Sequence, residues 1–277
     1  MLFSLNLLEI FPIFLINIFF FFIFLSILVL SYPLGKYFLY NYCENDLLKH
    51  SLFSLVVFST LVSIATNLAP VFGKYLIVTF YLINSLILIF NKRIRSNFYQ
   101  TILLSKKIFL FIFIIFLLLS IIFKSIFAED GKLIILFDDH ITYFINPISE
   151  ILTSDYFSRL KILSLYPLEW GTFHFFPASF NSFYLFPIYD SGSIGAIVLK
   201  LFFLSIFLYV FFASFINKKE NKNIILNFLF VFIVFILAFS PKVIYLVLTN
   251  NFIPAISSIF IIQSIINKKK MSFLYGL

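Results

Sequence analysis

Charge is scarce in this sequence. Only 12% of its residues are Asp, Glu, Lys or Arg, about half of the ~25% that a soluble globular domain carries. That shortage excludes an ordinary water-soluble fold. Cysteine is almost absent: the single Cys43 excludes an internal disulfide and any cysteine-based metal site. A basic leader is missing too. The first apolar run is preceded by Glu9 rather than by Lys or Arg and has no small-residue cleavage site, so it reads as an anchor and not as a signal peptide. Acidic residues number 12 against 20 basic ones. The resulting charge of +8 is no nucleic-acid footprint, because the cations stand in short clusters at the ends of apolar runs, where membrane topology asks for them.

Apolar side chains fill the space that charge leaves. Hydrophobic residues make up 62% of the chain, Phe alone occurs 44 times, and the mean hydropathy is +1.09. Runs of about 20 apolar residues recur, the length a helix needs to cross ~30 Å of hydrocarbon. The fold class expected is therefore all-α, a polytopic membrane protein with about seven transmembrane helices and one large outer-face loop containing short interfacial helices. Four spans fall in 1–127: Ile10–Leu30, Leu52–Ala69, Tyr75–Phe90 and Ile108–Phe127. Ser31–Ser51 reads as a polar connector with a turn at Pro33-Leu34-Gly35, and 91–107 as a basic loop. Residues 128–193 form the acidic loop. Residues 194–277 hold three more spans, Ile194–Ile216, Ile224–Phe239 and one ending at Ile266.

Basic clusters at 92–107, 218–222 and 268–270 alternate with poorly basic connections at 128–193 and 240–242. The positive-inside rule then puts the C-terminal side in the cytoplasm and the long loop on the outer face. The expected location is a bacterial cytoplasmic membrane, crossed several times. The apolar tail Met271–Leu277 reads as the beginning of a further span, which would make this chain an N-terminal portion of a longer one.

The loop concentrates the chemistry. Between Glu129 and Asp190 lie eight of the 12 acids, two of the three histidines, four of the nine prolines and the sole Trp. Ile141, Phe144, Ile145, Ile148, Ile151 and Leu152 recur at helical spacing, which predicts a helix in the membrane plane with its apolar face down. Ser154 or Asp155 can cap a second short helix carrying Arg159 and Lys161. Asp138 and Asp139 thus stand at the water–membrane boundary, with cations some twenty positions on. A carboxylate there can take a proton from an acceptor hydroxyl, and a cation can stabilise a departing phosphate. The pair can equally serve as an N-cap. His140 and His174 add donors for a divalent cation, but the spacing matches no metal motif, and no cofactor or metal is expected. Lys200, six residues into the span that begins at Ile194, is an intramembrane cation and so a functional candidate; from that depth it can also reach outer headgroups.

The order of apolar span, Asp138-Asp139, amphipathic segments and further spans resembles the GT-C class of membrane glycosyltransferases, over about 108–277. The stretch Phe239–Asn251 and the run to Lys268-Lys269-Lys270 resemble span junctions of that class. The resemblance implies transfer of a sugar from a polyprenyl-phosphate donor to an acceptor hydroxyl in cell-envelope glycan synthesis. Asp138 or Asp139 would be the base and Arg159, Lys161 and Lys200 the donor-phosphate contacts. His140, Glu169, Trp170 and His174 would lie on the acceptor side. The implied partners are membrane lipids and a lipid-linked sugar, with no nucleic acid. A transporter, or a non-catalytic membrane protein with the loop as a docking surface, is the competing reading.

Overall fold

The computed structural model describes residues 7–39, 46–68, 70–129, 132–133, 151–152, 179–187 and 192–216. These are almost wholly helical. The helices are α1 (Leu7–Leu30), α2 (Tyr32–Phe38), α3 (Leu47–Leu68), α4 (Pro70–Phe90), α5 (Lys92–Phe127) and α6 (Gly192–Ile216). A further short helix covers 179–185. Two residues on each side, β1 (Ala128–Glu129) and β2 (Lys132–Leu133), pair antiparallel just after α5. Among the described residues, four stretches are long and apolar enough to cross a membrane: Phe14–Phe38, Leu47–Thr66, Phe72–Phe90 and Lys92–Ser120. The chain is thus a helical membrane protein in its described part. The expected spans at 224–239 and up to 266 lie outside the described residues.

Three boundaries differ from the sequence reading. Pro33-Leu34-Gly35 is no turn: it opens α2, with the proline in the first helical turn, where its missing N–H is no loss. The third span is not short, because the helix starts at Pro70 and runs 21 residues. The stretch 91–107 is not a loop. It is the first half of α5, a single helix of 36 residues, about 54 Å at 1.5 Å per residue. Asn91 explains the sharp turn into it. Its Oδ1 accepts from the Ile94 backbone N–H at 3.0 Å, the arrangement of an N-cap.

In hydrocarbon no water satisfies polar groups, so they must find partners inside the protein. The hydroxyls of Ser26, Ser31, Ser59, Thr60, Thr66, Thr79 and Thr101 each donate to the carbonyl four residues back. Between helices, Asn84 does the work. Its Oδ1 accepts from the Leu34 N–H at 3.0 Å while its Nδ2 donates to Phe80 O at 2.9 Å. Apolar packing supplies the rest, largely through aromatic rings. Phe21 of α1 meets Phe113 and Phe116 of α5 at 5.0 and 4.8 Å and Phe202 of α6 at 5.5 Å. Such ring pairs add about 0.5–1.5 kcal/mol each beyond burial. α6 is buried on nearly every side from Val198 to Leu208 and forms the centre of the described bundle.

The basic and loop ends of the bundle follow from connectivity. α1, α4 and α6 run from the loop end to the basic end; α3 and α5 run back. Tyr32, Phe98, Thr101, Asn84 and His50 meet near the basic end. Gly73, Thr66 and Ile151 meet at the loop end.

Candidate functional site

The loop does not stay outside the bundle. Its late part, 179–187, packs among α1, α4 and α6. Phe183 lies edge-on to Phe80 at 4.8 Å, and the Tyr81 hydroxyl donates to Phe183 O. Tyr184 touches Phe24 at 6.1 Å, Phe202 at 6.1 Å and Phe203 at 5.0 Å. Depth can be read along two helices independently. Phe80 is ten residues from Pro70, the loop end of α4, and Phe202 is ten from Gly192, the loop end of α6. Both give about 15 Å along the helix, so the short helix packs against the middle of α4 and α6 rather than at their ends, and Ser179 to Leu185 are all buried.

Lys200 stands on α6 one turn before a residue that meets this segment. Phe203, one turn further on, packs against Phe180 at 5.4 Å and Tyr184 at 5.0 Å, and residues three apart share a helix face. Eight residues separate Lys200 from Gly192, so it is about 12 Å along the helix. It is only 3% exposed. Ser179, Asn181 and Ser182, at 0, 5 and 0% exposure, make the segment polar. Lys200 and these three residues each have an interaction partner. On α1, Asn17 is also buried, four residues before Phe21, which meets Phe202. Buried polar side chains thus occur on α1, on α6 and on the short helix. Within it the Tyr184 hydroxyl is fully enclosed and has no partner among the described residues.

Of the expected site residues, Lys200 alone is described. Asp138, Asp139, His140, Arg159, Lys161, Glu169, Trp170 and His174 lie outside the described residues. Two residues of the expected interfacial helix are described, Ile151 and Leu152. They are 0 and 5% exposed and face protein rather than lipid. Ile151 fills the notch at Gly73, where an added Cβ would stand 3.2 Å from its Cγ2. No group of three His, Cys, Asp or Glu residues able to hold a metal occurs among the described residues.

A second polar cluster, at the basic end, has no counterpart in the sequence reading. His50 stacks on Tyr32 with ring centroids 5.4 Å apart and an interplanar angle of 16°. The Tyr32 hydroxyl and Thr101 Oγ1 share a hydrogen bond of 3.3 Å. Ser54 Oγ donates to Ser31 O at 2.6 Å. Both ring nitrogens of His50 and the Ser51 hydroxyl are buried without a partner among the described residues. The signal for this cluster lay in Ser31, His50, Ser51 and Ser54, polar residues that flank spans one and two.

Comparison with known families, curated proteins and solved structures yields no match.

Proposed function

We propose that this chain is a membrane glycosyltransferase, or the membrane portion of one, that moves a sugar from a lipid-phosphate donor to an acceptor hydroxyl at the outer face. One observation carries the reading: Lys200 is buried in α6, and Phe203 of the same helix packs against Phe180 and Tyr184 in the late part of the loop that carries Asp138 and Asp139. A loop whose late part packs into the bundle near a buried cation suits a substrate that is part lipid. In this reading Asp138 or Asp139 takes the acceptor proton, and the Lys200 ammonium balances charge developing on the donor phosphate. Arg159 and Lys161 assist it, and His140, Glu169, Trp170 and His174 border the acceptor. The C-terminal side lies in the cytoplasm of a bacterial cell, and seven or more spans hold the site.

The test is sugar transfer from a polyprenyl-phosphate donor by the full chain in membranes. The double substitution Asp138→Asn, Asp139→Asn is expected to abolish transfer and leave membrane insertion intact. Lys200→Met is expected to reduce it about 100-fold, the effect of removing a charge-stabilising donor, with Lys200→Arg recovering part of the rate. Full activity of the double variant removes the proposal.

The short helix packed inside the bundle favours one second reading. Helices broken at mid-membrane beside polar residues are how secondary transporters hold their solutes. Solute uptake into proteoliposomes that depends on Lys200 but not on Asp138 or Asp139 would establish transport in place of transfer.

A further inference from the structure

α5 is divided lengthwise into two faces. Ile94, Phe98, Thr101, Ser105, Ile112 and Phe116 are buried against the bundle. Arg95, Tyr99, Leu103, Lys106 and Leu110 follow one another at steps of three and four on the other side, and all are exposed. The exposed stripe mixes cations with apolar surface. Lys106 and Lys107 stand next to Leu103 and Leu104, which are 59 and 78% exposed, and Tyr99 is 61% exposed. No acid occurs from Asn91 to Lys107. On the neighbouring helix Phe90 and Ile89 are 80 and 60% exposed. Arg95 is held in place, its Nη1 donating to Ile89 O at 3.0 Å.

Water is a poor solvent for that surface, and hydrocarbon is a poor solvent for its cations. The headgroup layer suits both. Lysine stems lie along apolar chains while their ammonium groups reach phosphate, and tyrosine prefers the same level. The helix is long enough: about 54 Å of α5 exceeds the ~40–45 Å of a bilayer with its headgroups. We propose that the stripe from Arg95 to Lys107 binds the headgroup phosphates of anionic phospholipids, in the leaflet at the basic end of the bundle. A soluble anion would find no reason for the exposed leucines between the cations. The site rests on α5 and is independent of the function assigned at Lys200.

The test uses the full chain in detergent, with phosphatidylglycerol or phosphatidylcholine added and bound lipid counted by native mass spectrometry. The wild type is expected to retain phosphatidylglycerol preferentially. R95Q/K106Q/K107Q is expected to lower that preference on the order of 100-fold, at roughly fivefold per cation. Lys74→Gln, an exposed lysine near the other end of α4, should change nothing. Equal retention of the two lipids, or a triple variant that keeps the wild-type preference, overturns the proposal. So does displacement of phosphatidylglycerol by excess inorganic phosphate, which would mark a free-anion site. If the triple variant does not fold, K106Q/K107Q leaves the Arg95 contact intact and is expected to lose about 25-fold. In the wild type the preference should collapse at ~1 M salt, where screening acts over ~3 Å; its persistence there would also overturn the proposal.

Discussion

A Cβ on Gly35 would overlap the backbone carbonyl of His50. Neither partner of that contact is the end of a flexible side chain, so α2 and α3 would have to separate. The same movement would strain the Leu34–Asn84 hydrogen bond next door. Gly35→Ala is therefore expected to lower stability by about 1–3 kcal/mol, the usual cost of overpacking. Gly73→Ala makes the comparison. There the nearest atom is Thr66 Oγ1 at 2.6 Å, a side-chain atom whose displacement strains its bond to Val62 O without parting two helix backbones, so the loss should be smaller. Thermal unfolding in detergent measures both, and equal losses would refute the distinction. Asn84 is a polar residue inside an apolar run, and such a residue bonds between helices. Gly35 was misread, because glycine at a turn and glycine at a helix crossing look the same in one dimension.

At the scale of elements, the short helix at 179–185 and α5 matter most. The 179–187 segment follows Pro177 and ends at Pro187, which suggests a break, but nothing in its composition states a depth. The depth comes from Phe183 on Phe80 and Tyr184 on Phe202. A cysteine at position 182, introduced with Cys43→Ser, should resist a membrane-impermeant maleimide from either side and react fully after denaturation. Rapid labelling in intact membranes would put the segment at the surface. For α5 the sequence showed cations and therefore suggested a loop. The structure has one helix because each cation in 92–107 falls off the face formed by Ile94, Phe98, Thr101 and Ser105. Helical spacing was present there, and the charge count obscured it.

Over the whole molecule, the described helices share one aromatic core, with exposed apolar side chains on α1, α3, α4 and α5. In water such a surface would aggregate; in lipid it is the expected exterior. The alternation of basic clusters predicts an N-terminus outside and residue 268 inside. Reporter fusions after residue 97 and after residue 270 should both be active in the cytoplasm, and one inserted near residue 170 should be active only outside. A fusion near 170 that is active in the cytoplasm would invert the topology and place Asp138 and Asp139 away from any outer-face substrate.

Composition alone settled that this chain enters a membrane as helices. So few charges, in runs so long, leave the backbone no other way to satisfy its hydrogen bonds in hydrocarbon. The existence of α1, α3, α4 and α6 was readable for the same reason, since each is an apolar run with polar ends. Tertiary structure alone decided that part of the loop packs inside the bundle and that His50 stacks on Tyr32. Those placements depend on which rings fill which gaps between helices distant in sequence. No local period or charge pattern records that.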